Sequence, residues 1–389
     1  MSPDLLIVTT TFPRWRDDAG AAPFVFHLAR ALTADFNVTV LAPHAPGAAA
    51  REDLDGVRVR RFRYAPGGME RLTDGAGIMN NLRRGWAARL AAPLLFVGEA
   101  AALWSALREP FAAVNCHWLV PSGILGALFA GRRPLVVTCH AADYDLLARL
   151  PGGGAVIRFI ARRATIVAVS PRLADGIAAA APGARVVTLP MGVDAARFRF
   201  REEARREWRE RLGVRDEKLI LFAGKLSPKK GLPYLLEAAA SMPERPMIVV
   251  AGDGDERAAL ERLASEMLPG RARFLGAAPN AELARLYSAA DAVALPSVRD
   301  ERGETEGMPV VALEALAAGR PVVATTLCSL PRELLGRGAT EVPPGAASAL
   351  ASALSAALAG PPAAADAVAD YDWPRVAARY AELLKEKPA

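Results

Sequence analysis

The stretch 300–324, DERGETEGMPVVALEALAAGRPVVA, decides how the chain is read. Two carboxylates, Glu306 and Glu314, have seven residues between them and bracket the start of a helix. Gly307 can leave ordinary backbone space and Pro309 suits a first helical position, which puts Glu306 in the approach loop and Glu314 in the second turn. The amides of Met308, Val310 and Val311 then stand at the helix's open end, unpaired within it and aimed at an anion or a ring of hydroxyls. Apart from Glu314 the run 309–319 carries no charge until Arg320, so that carboxylate needs a partner or a ligand. A buried Glu bonded to a neighbour, with Glu306 merely solvated, is the competing reading.

Around this stretch, short β-rich runs alternate with Pro-started helices, the pattern of parallel βα units. In the first half the strands are 5–11, 38–41, 57–62, 113–117, 135–139, 166–169 and 186–189, with helices at 24–33, at 86–107 and after Pro121 and Pro171. PMGVDAARFRF at 190–200 has no periodicity and leads into a charged helix, so a boundary is placed there. The pattern then restarts through 219–223, 247–251, 273–275, 292–295, 321–324 and 340–342. With 389 residues the chain is too long for one ordinary core. The expectation is α/β with two Rossmann-like doubly wound parallel-sheet domains, 1–190 and 191–372, and a closing amphipathic helix, 373–389, lying across the join.

Composition narrows the classes. MSPDLLIVTTTF has Asp4 where a signal peptide would be positive, and the long apolar run 86–107 is broken by Arg89, Pro93 and Glu99. That run reads as a packed or surface-seated helix, and the expected location is the cytoplasm, with peripheral contact at the inner face of the membrane. Cys116, Cys139 and Cys328 lack metal-ligand spacing, so no structural zinc is expected. Residues 1–190 hold 21 Arg and no Lys against 14 acids, so the whole positive surplus lies in the first half. An anionic membrane surface, a phosphate-bearing acceptor or simple base-composition bias each account for it, whereas the lack of an aromatic-interleaved basic motif argues against nucleic acid.

Other residues carry chemistry by position. GKLSPKKG at 224–231 follows a strand and precedes a helix, so Lys225 and Lys230 can close on a diphosphate; it is not a Walker A loop. His140 ends the strand LVVTCH, where it can meet a sugar hydroxyl or serve as a structural group. His117 and Asp143 occupy similar strand-end loops, though Trp118 beside His117 favours packing. The long loop FPRWRDDAGAAP has only Gly20 for backbone freedom. GDGDER at 252–257 lacks the full dinucleotide pattern.

Together these pieces resemble the retaining glycosyltransferases of family GT4, of the GT-B fold, over nearly the whole length. E-G-M-P-V-V-A-L-E is similar to that family's E-x7-E signature, VVTCHAADYD to T-x-H-G-x-D, PMGVDAARF to P-N-G-V-D-x-x-x-F, GKLSPKKG to G-R-L-x-x-x-K-G and AGDGDER to G-x-G-P. HWLVPSG leans toward members that build bacterial surface polysaccharides. The resemblance implies two domains facing a cleft, a nucleotide-diphosphate sugar held by the second and a glycan or lipid-linked acceptor by the first. It also implies transfer with retention and without a required metal or other cofactor. It matches Lys225 and Lys230 to the diphosphate and Glu306 to the donor sugar, with Gly307, Met308, Val310 and Val311 beside it. It matches Glu314 to the ribose diol and His140 to the cleft histidine, which makes His140 and Glu306 the catalytic candidates; Gly20, His117 and Asp143 are the acceptor-loop candidates. UDP is the carrier expected from family frequency. Lys225 in place of Arg, Asp255 in place of Pro and LCSLP at 327–331 without glycines are departures. The rivals are a sugar-nucleotide epimerase or hydrolase on the same fold and a non-catalytic nucleotide-sugar-binding protein.

Overall fold

The computed structural model describes every residue except 1, 17, 19–22, 67–68, 74–77, 79–80, 83–85, 302, 304, 365 and 387–389. The chain forms two compact units, Met1–Gly192 with Trp373–Ala389, and Val193–Asp372. Gly20 lies outside the described residues.

The first unit is built on an eight-stranded sheet in the order β3-β4-β2-β1-β5-β6-β7-β8. Its strands are β1 Asp4–Val8, β2 Asn37–Pro43, β3 Arg51–Leu54, β4 Val57–Phe62, β5 Ala113–His117, β6 Leu135–Cys139, β7 Thr165–Ala168 and β8 Val186–Thr188. All neighbours are parallel except β3 on β4. The sequence pattern misses β3, because REDL is short and charged, as suits an edge that must not recruit another strand. Helices α1 Phe24–Leu32, α2 Trp86–Ala106, α3 Ile124–Phe129, α4 Ala142–Arg149, α5 Gly153–Ala161 and α6 Pro171–Ala180 cover the sheet. The helix expected right after Pro121 begins only at Ile124, since a π turn with extended Val120 intervenes. The pair α4 and α5 was not read from the sequence, where PGGG looks like plain loop. Gly153 is needed there, because a β-carbon would lie 1.8 Å from the Leu147 carbonyl.

The second unit contains α7 Ala195–Phe198, α8 Glu202–Leu212, β9 Leu219–Ala223, α9 Leu232–Ser241, β10 Met247–Ala251, α10 Arg257–Met267, β11 Ala272–Gly276, α11 Asn280–Ala289, β12 Ala292–Leu295, α12 Val310–Ala317, β13 Val322–Thr325, β14 Ala339–Val342 and α13 Ala347–Ala359. Its six strands run β11-β10-β9-β12-β13-β14, all parallel. β9 shows why such strands are apolar throughout: Leu219, Leu221 and Ala223 enter one core and Ile220 and Phe222 the other. The last helix, α14 Trp373–Lys385, returns to the first unit and packs on α1. Tyr380, fully buried, places its hydroxyl 3.2 Å from Thr138 on β6, and the Trp373 ring fills the space above Gly192.

Strand order reverses between β1 and β5 in one sheet and between β9 and β12 in the other. Loops leaving the carboxyl ends of such strands diverge and open a crevice, the usual ligand position in doubly wound sheets.

Candidate active site

In the second unit the crevice is flanked by the loop after β9, which carries Lys225 and Lys230, and the loop after β12, which carries Glu306. The first loop is held by backbone contacts that only glycine permits. Gly224 donates to the Ala251 carbonyl and Leu226 to the Asp253 carbonyl, both at 2.9 Å. A β-carbon on Gly252 would lie 1.8 Å from the Gly224 carbonyl oxygen, and one on Gly254 2.1 Å from that of Leu226. The GDG turn therefore serves as the bed on which the lysine loop rests. On the other side, Gly231 adopts φ +64°, and a β-carbon there would meet the Pro296 carbonyl at 2.0 Å, so the loop also docks on the segment leaving β12.

That docking brings the charges together. Lys230 Nζ lies 3.3 Å from Glu306 Oε1 and Lys229 Nζ 3.8 Å from the same oxygen. Burial alone would raise the Glu306 carboxyl, but Lys230 and then Lys229 hold it below the ordinary carboxylate value. Lys229 was not singled out from the sequence; in this structure it, rather than Lys225, accompanies Lys230. Lys225 is exposed and has no ion pair among the described residues.

Glu306 leads into α12. Pro309 takes the capping position with ψ 122° instead of the first helical place, because its carbonyl accepts the Ala312 amide at 3.0 Å. Val310 and Val311 thus precede the helical ladder, and neither their amides nor that of Met308 have an acceptor among the described hydrogen bonds. Glu314 accepts a hydrogen bond from the Tyr287 hydroxyl at 2.7 Å. Burial pushes its carboxyl up to about 7, against the opposing pull of Tyr287 and Arg197. One Glu314 oxygen therefore has a neighbour, while the other has no hydrogen bond among the described residues. Tyr287, fully buried on α11, carried no sequence signal beyond its apolar setting.

In the first unit β5 and β6 are adjacent, with His117 opposite Thr138, so the residues ending them meet. His117 Nδ1 and His140 Nε2 are 2.9 Å apart, with rings stacked at 5.2 Å. Phe24 and Trp118 complete a cage around His140, at 4.9 and 4.5 Å between ring centroids. Burial pushes His117 down to about 3 and His140 well below its usual value, so the pair is neutral and shares one ring proton between the facing nitrogens.

His117 is fully buried beneath His140, in keeping with the packing role that its neighbour Trp118 suggests, and its ring fixes the orientation of His140. Asp143 acts here as a clamp between the two strand-end loops. Its Oδ2 accepts the Leu119 amide at 2.6 Å and its Oδ1 the His140 amide at 3.2 Å, pinning loops in which Trp118 and Ala141 take φ +80° and +91°. Among the described residues no group of three or more His, Cys, Asp or Glu could hold a metal ion.

Comparison with known proteins matches this arrangement to one family. The profile of Glycosyltransferase Family 4 covers residues 19–197 and that of Glycosyl transferases group 1 covers 204–370. The GDP-mannose-dependent alpha-(1-6)-phosphatidylinositol monomannoside mannosyltransferase of Mycolicibacterium smegmatis is 30% identical over 282 residues, 68% of this chain and 74% of that protein. The chain belongs to glycosyltransferase family 4. Another relative of this family 4 chain is TuaC of Bacillus subtilis, provisionally assigned as a teichuronic acid biosynthesis glycosyltransferase. It is 31% identical over 217 residues, 54% of this chain, and the match spans about half (52%) of TuaC's own length. Among solved structures, sucrose-phosphate synthase from Thermosynechococcus elongatus matches 98% of both chains with TM-score 0.76 at 21% identity. Anabaena HepE in complex with UDP-glucose matches 98% of this chain and 99% of its own with TM-score 0.69 at 20% identity. These two likenesses bear on the fold alone, which is GT-B.

Proposed function

We propose that this family 4 member moves a sugar from a nucleotide-diphosphate sugar to a glycan or lipid-linked acceptor in cell-surface polysaccharide synthesis, with retention at the transferred carbon. The observation that carries the reading is the Glu306 carboxylate kept ionised by Lys230 and Lys229 at the open end of α12. In this reading Lys225 and Lys230 hold the diphosphate, the amides of Met308, Val310 and Val311 orient it with Gly307 giving clearance, and Glu314 takes the ribose diol. The acceptor oxygen forms its bond to the anomeric carbon on the face from which the diphosphate leaves. The carbon–phosphate oxygen bond breaks, and the departing oxygen takes the acceptor proton. Charge on that oxygen is what the ammonium groups and amides stabilise. Glu306 and His140 are the groups assigned to the sugar. The reaction is proposed to need no metal or other cofactor.

The Mycolicibacterium relative, named for GDP-mannose, supports the substrate class, while HepE, alike in fold, is solved with UDP-glucose, so the two differ in the base. UDP is proposed here on family frequency. The deciding experiment incubates the full chain with labelled UDP- and GDP-sugars and a bacterial lipid extract in excess chelator. Labelled glycolipid with the donor's anomeric configuration supports the proposal; free altered sugar, inverted product or loss of transfer with chelator contradicts it.

A further inference from the structure

Helix α2 is apolar on both faces: Ala91, Leu95 and Leu103 are buried beneath it, yet its outer side is apolar as well. Among the described residues, five large apolar side chains that stay more than a third exposed lie on this one helix: Leu90, Leu94, Phe96, Val97 and Trp104. At about 100° per residue, Leu90, Leu94, Val97, Ala101 and Trp104 fall within roughly 80° of arc, a single stripe facing water. Val97 is 64% exposed and Trp104 57%. The one charge between Arg89 and Arg108, Glu99, projects from the opposite side and is fully buried. A surface helix whose outer side met water alone would carry polar or charged residues along this stripe. The stripe continues onto α3, where Leu128 is exposed and Phe129 packs edge-on against Trp104 at 5.6 Å.

Charge identifies the occupant. Exposed Arg89 lies at the start of the stripe and exposed Arg108 just past its end. Exposed Arg132 adjoins that same end, because its neighbour Arg133 donates to the Leu107 carbonyl at 3.0 Å. The nearby acid, Glu109, is tied to Arg60. A second copy of this chain fits poorly: pairing the stripe with itself, in either direction, sets arginine beside arginine. An anionic bilayer answers all three cations and covers the apolar face at once. Trp104 between them is the residue type that favours the headgroup boundary. No helix among the described residues is long and apolar enough to cross a membrane, so α2 would lie in the interface.

We propose that the outer face of α2 is a docking surface for anionic lipid. The inference does not depend on the donor chemistry of the second unit. Its test is flotation of the full chain with phosphatidylglycerol-rich and with pure phosphatidylcholine vesicles, at low and high salt. The wild type floats with the anionic vesicles and is released by salt. Leu94→Glu and Val97→Glu each weaken that binding by about tenfold or more with the melting temperature unchanged, since both positions are exposed. Arg89→Glu combined with Arg108→Glu removes the preference for anionic vesicles. Failure of the wild type to float with either vesicle overturns the proposal, as does unchanged flotation of Val97→Glu. A wild-type dimer in sedimentation, dissociated by Val97→Glu without any flotation, gives the face to a second copy and also overturns it.

Discussion

Donor affinity should depend on pH through one carboxylate. Glu314 titrates at about 7 because it is buried. Glu306 is held below the carboxylate range and His140 well below the imidazole range, so both keep one charge state across neutrality. The diphosphate of a nucleotide sugar, esterified at both ends, loses no proton there either. If ionised Glu314 accepts both hydroxyls of a ribose diol, apparent affinity scales with its ionised fraction. That fraction rises from about one tenth near pH 6 to about nine tenths near pH 8, so affinity should rise roughly tenfold over that span and then level off. Isothermal titration with a nucleotide sugar reads this directly. Glu314→Gln should bind weakly and without the slope. Tyr287→Phe removes a hydrogen bond that favours the ionised form, so its midpoint should move to higher pH. A flat profile in the wild type, or the same slope in Glu314→Gln, would refute the assignment of Glu314 to the diol.

Three further outcomes follow from the geometry. Burial lifts Glu99 to about 7, with Ser122 easing it only in part. Because the folded value is raised, its penalty is absent below the unfolded value near 4.5, grows as pH climbs to about 7 and is constant above. Glu99→Gln should therefore match the wild type near pH 4.5 and exceed it by about 3 kcal/mol near pH 8, read by urea unfolding with hydrogen exchange of β5. Gly252→Ala must push the lysine loop off its bed, destabilising by about 1–3 kcal/mol and weakening nucleotide-sugar binding, as a melting scan with and without the ligand would record. Lys230→Ala should lower turnover by about a hundred- to a thousandfold, whereas Lys225→Ala, which removes a cation with no bond to Glu306, should act on donor affinity more than on turnover; equal effects in steady-state kinetics would count against their separate roles.

Gly307 and Pro309 made the loop position of Glu306 and the second-turn position of Glu314 legible, although Pro309 caps the helix instead of opening it. The strand-end positions of Lys230 and His140 were legible for the same reason: a parallel strand delivers the next few residues to the crevice. Contacts between distant loops were not. Nothing in GDGDER says that its glycines carry the 224–226 backbone, and nothing in PKKG says that Lys229 shares Lys230's carboxylate until β9 and β12 are known to be neighbours. Glu99 read as a flaw in a membrane span, although counting by helical turns from Leu90 to Trp104 would have set it opposite an apolar stripe. That the Asp143 carboxylate takes the Leu119 and His140 amides was equally hidden, because those loops meet only in the folded sheet.

The two carboxylates of the second unit differ in state because they differ in neighbours, and that difference suits unequal tasks. Glu314 is buried, and the Tyr287 phenol and Arg197 offset that burial only in part, so it ionises late and stays sensitive to what arrives. Glu306 has two ammonium groups within 4 Å of one oxygen, so it is charged before any donor binds. If the donor binds as proposed, a diphosphate entering beside those ammonium groups would compete with Glu306 for them. Each bond they give to phosphate leaves the carboxylate with less compensation and more reason to accept hydroxyls from the sugar attached to that phosphate. On the proposed reading, binding of the diphosphate and capture of the sugar would be one exchange of partners. A bare nucleoside diphosphate, which frees the carboxylate without supplying hydroxyls, should gain less from the lysines than the full nucleotide sugar does.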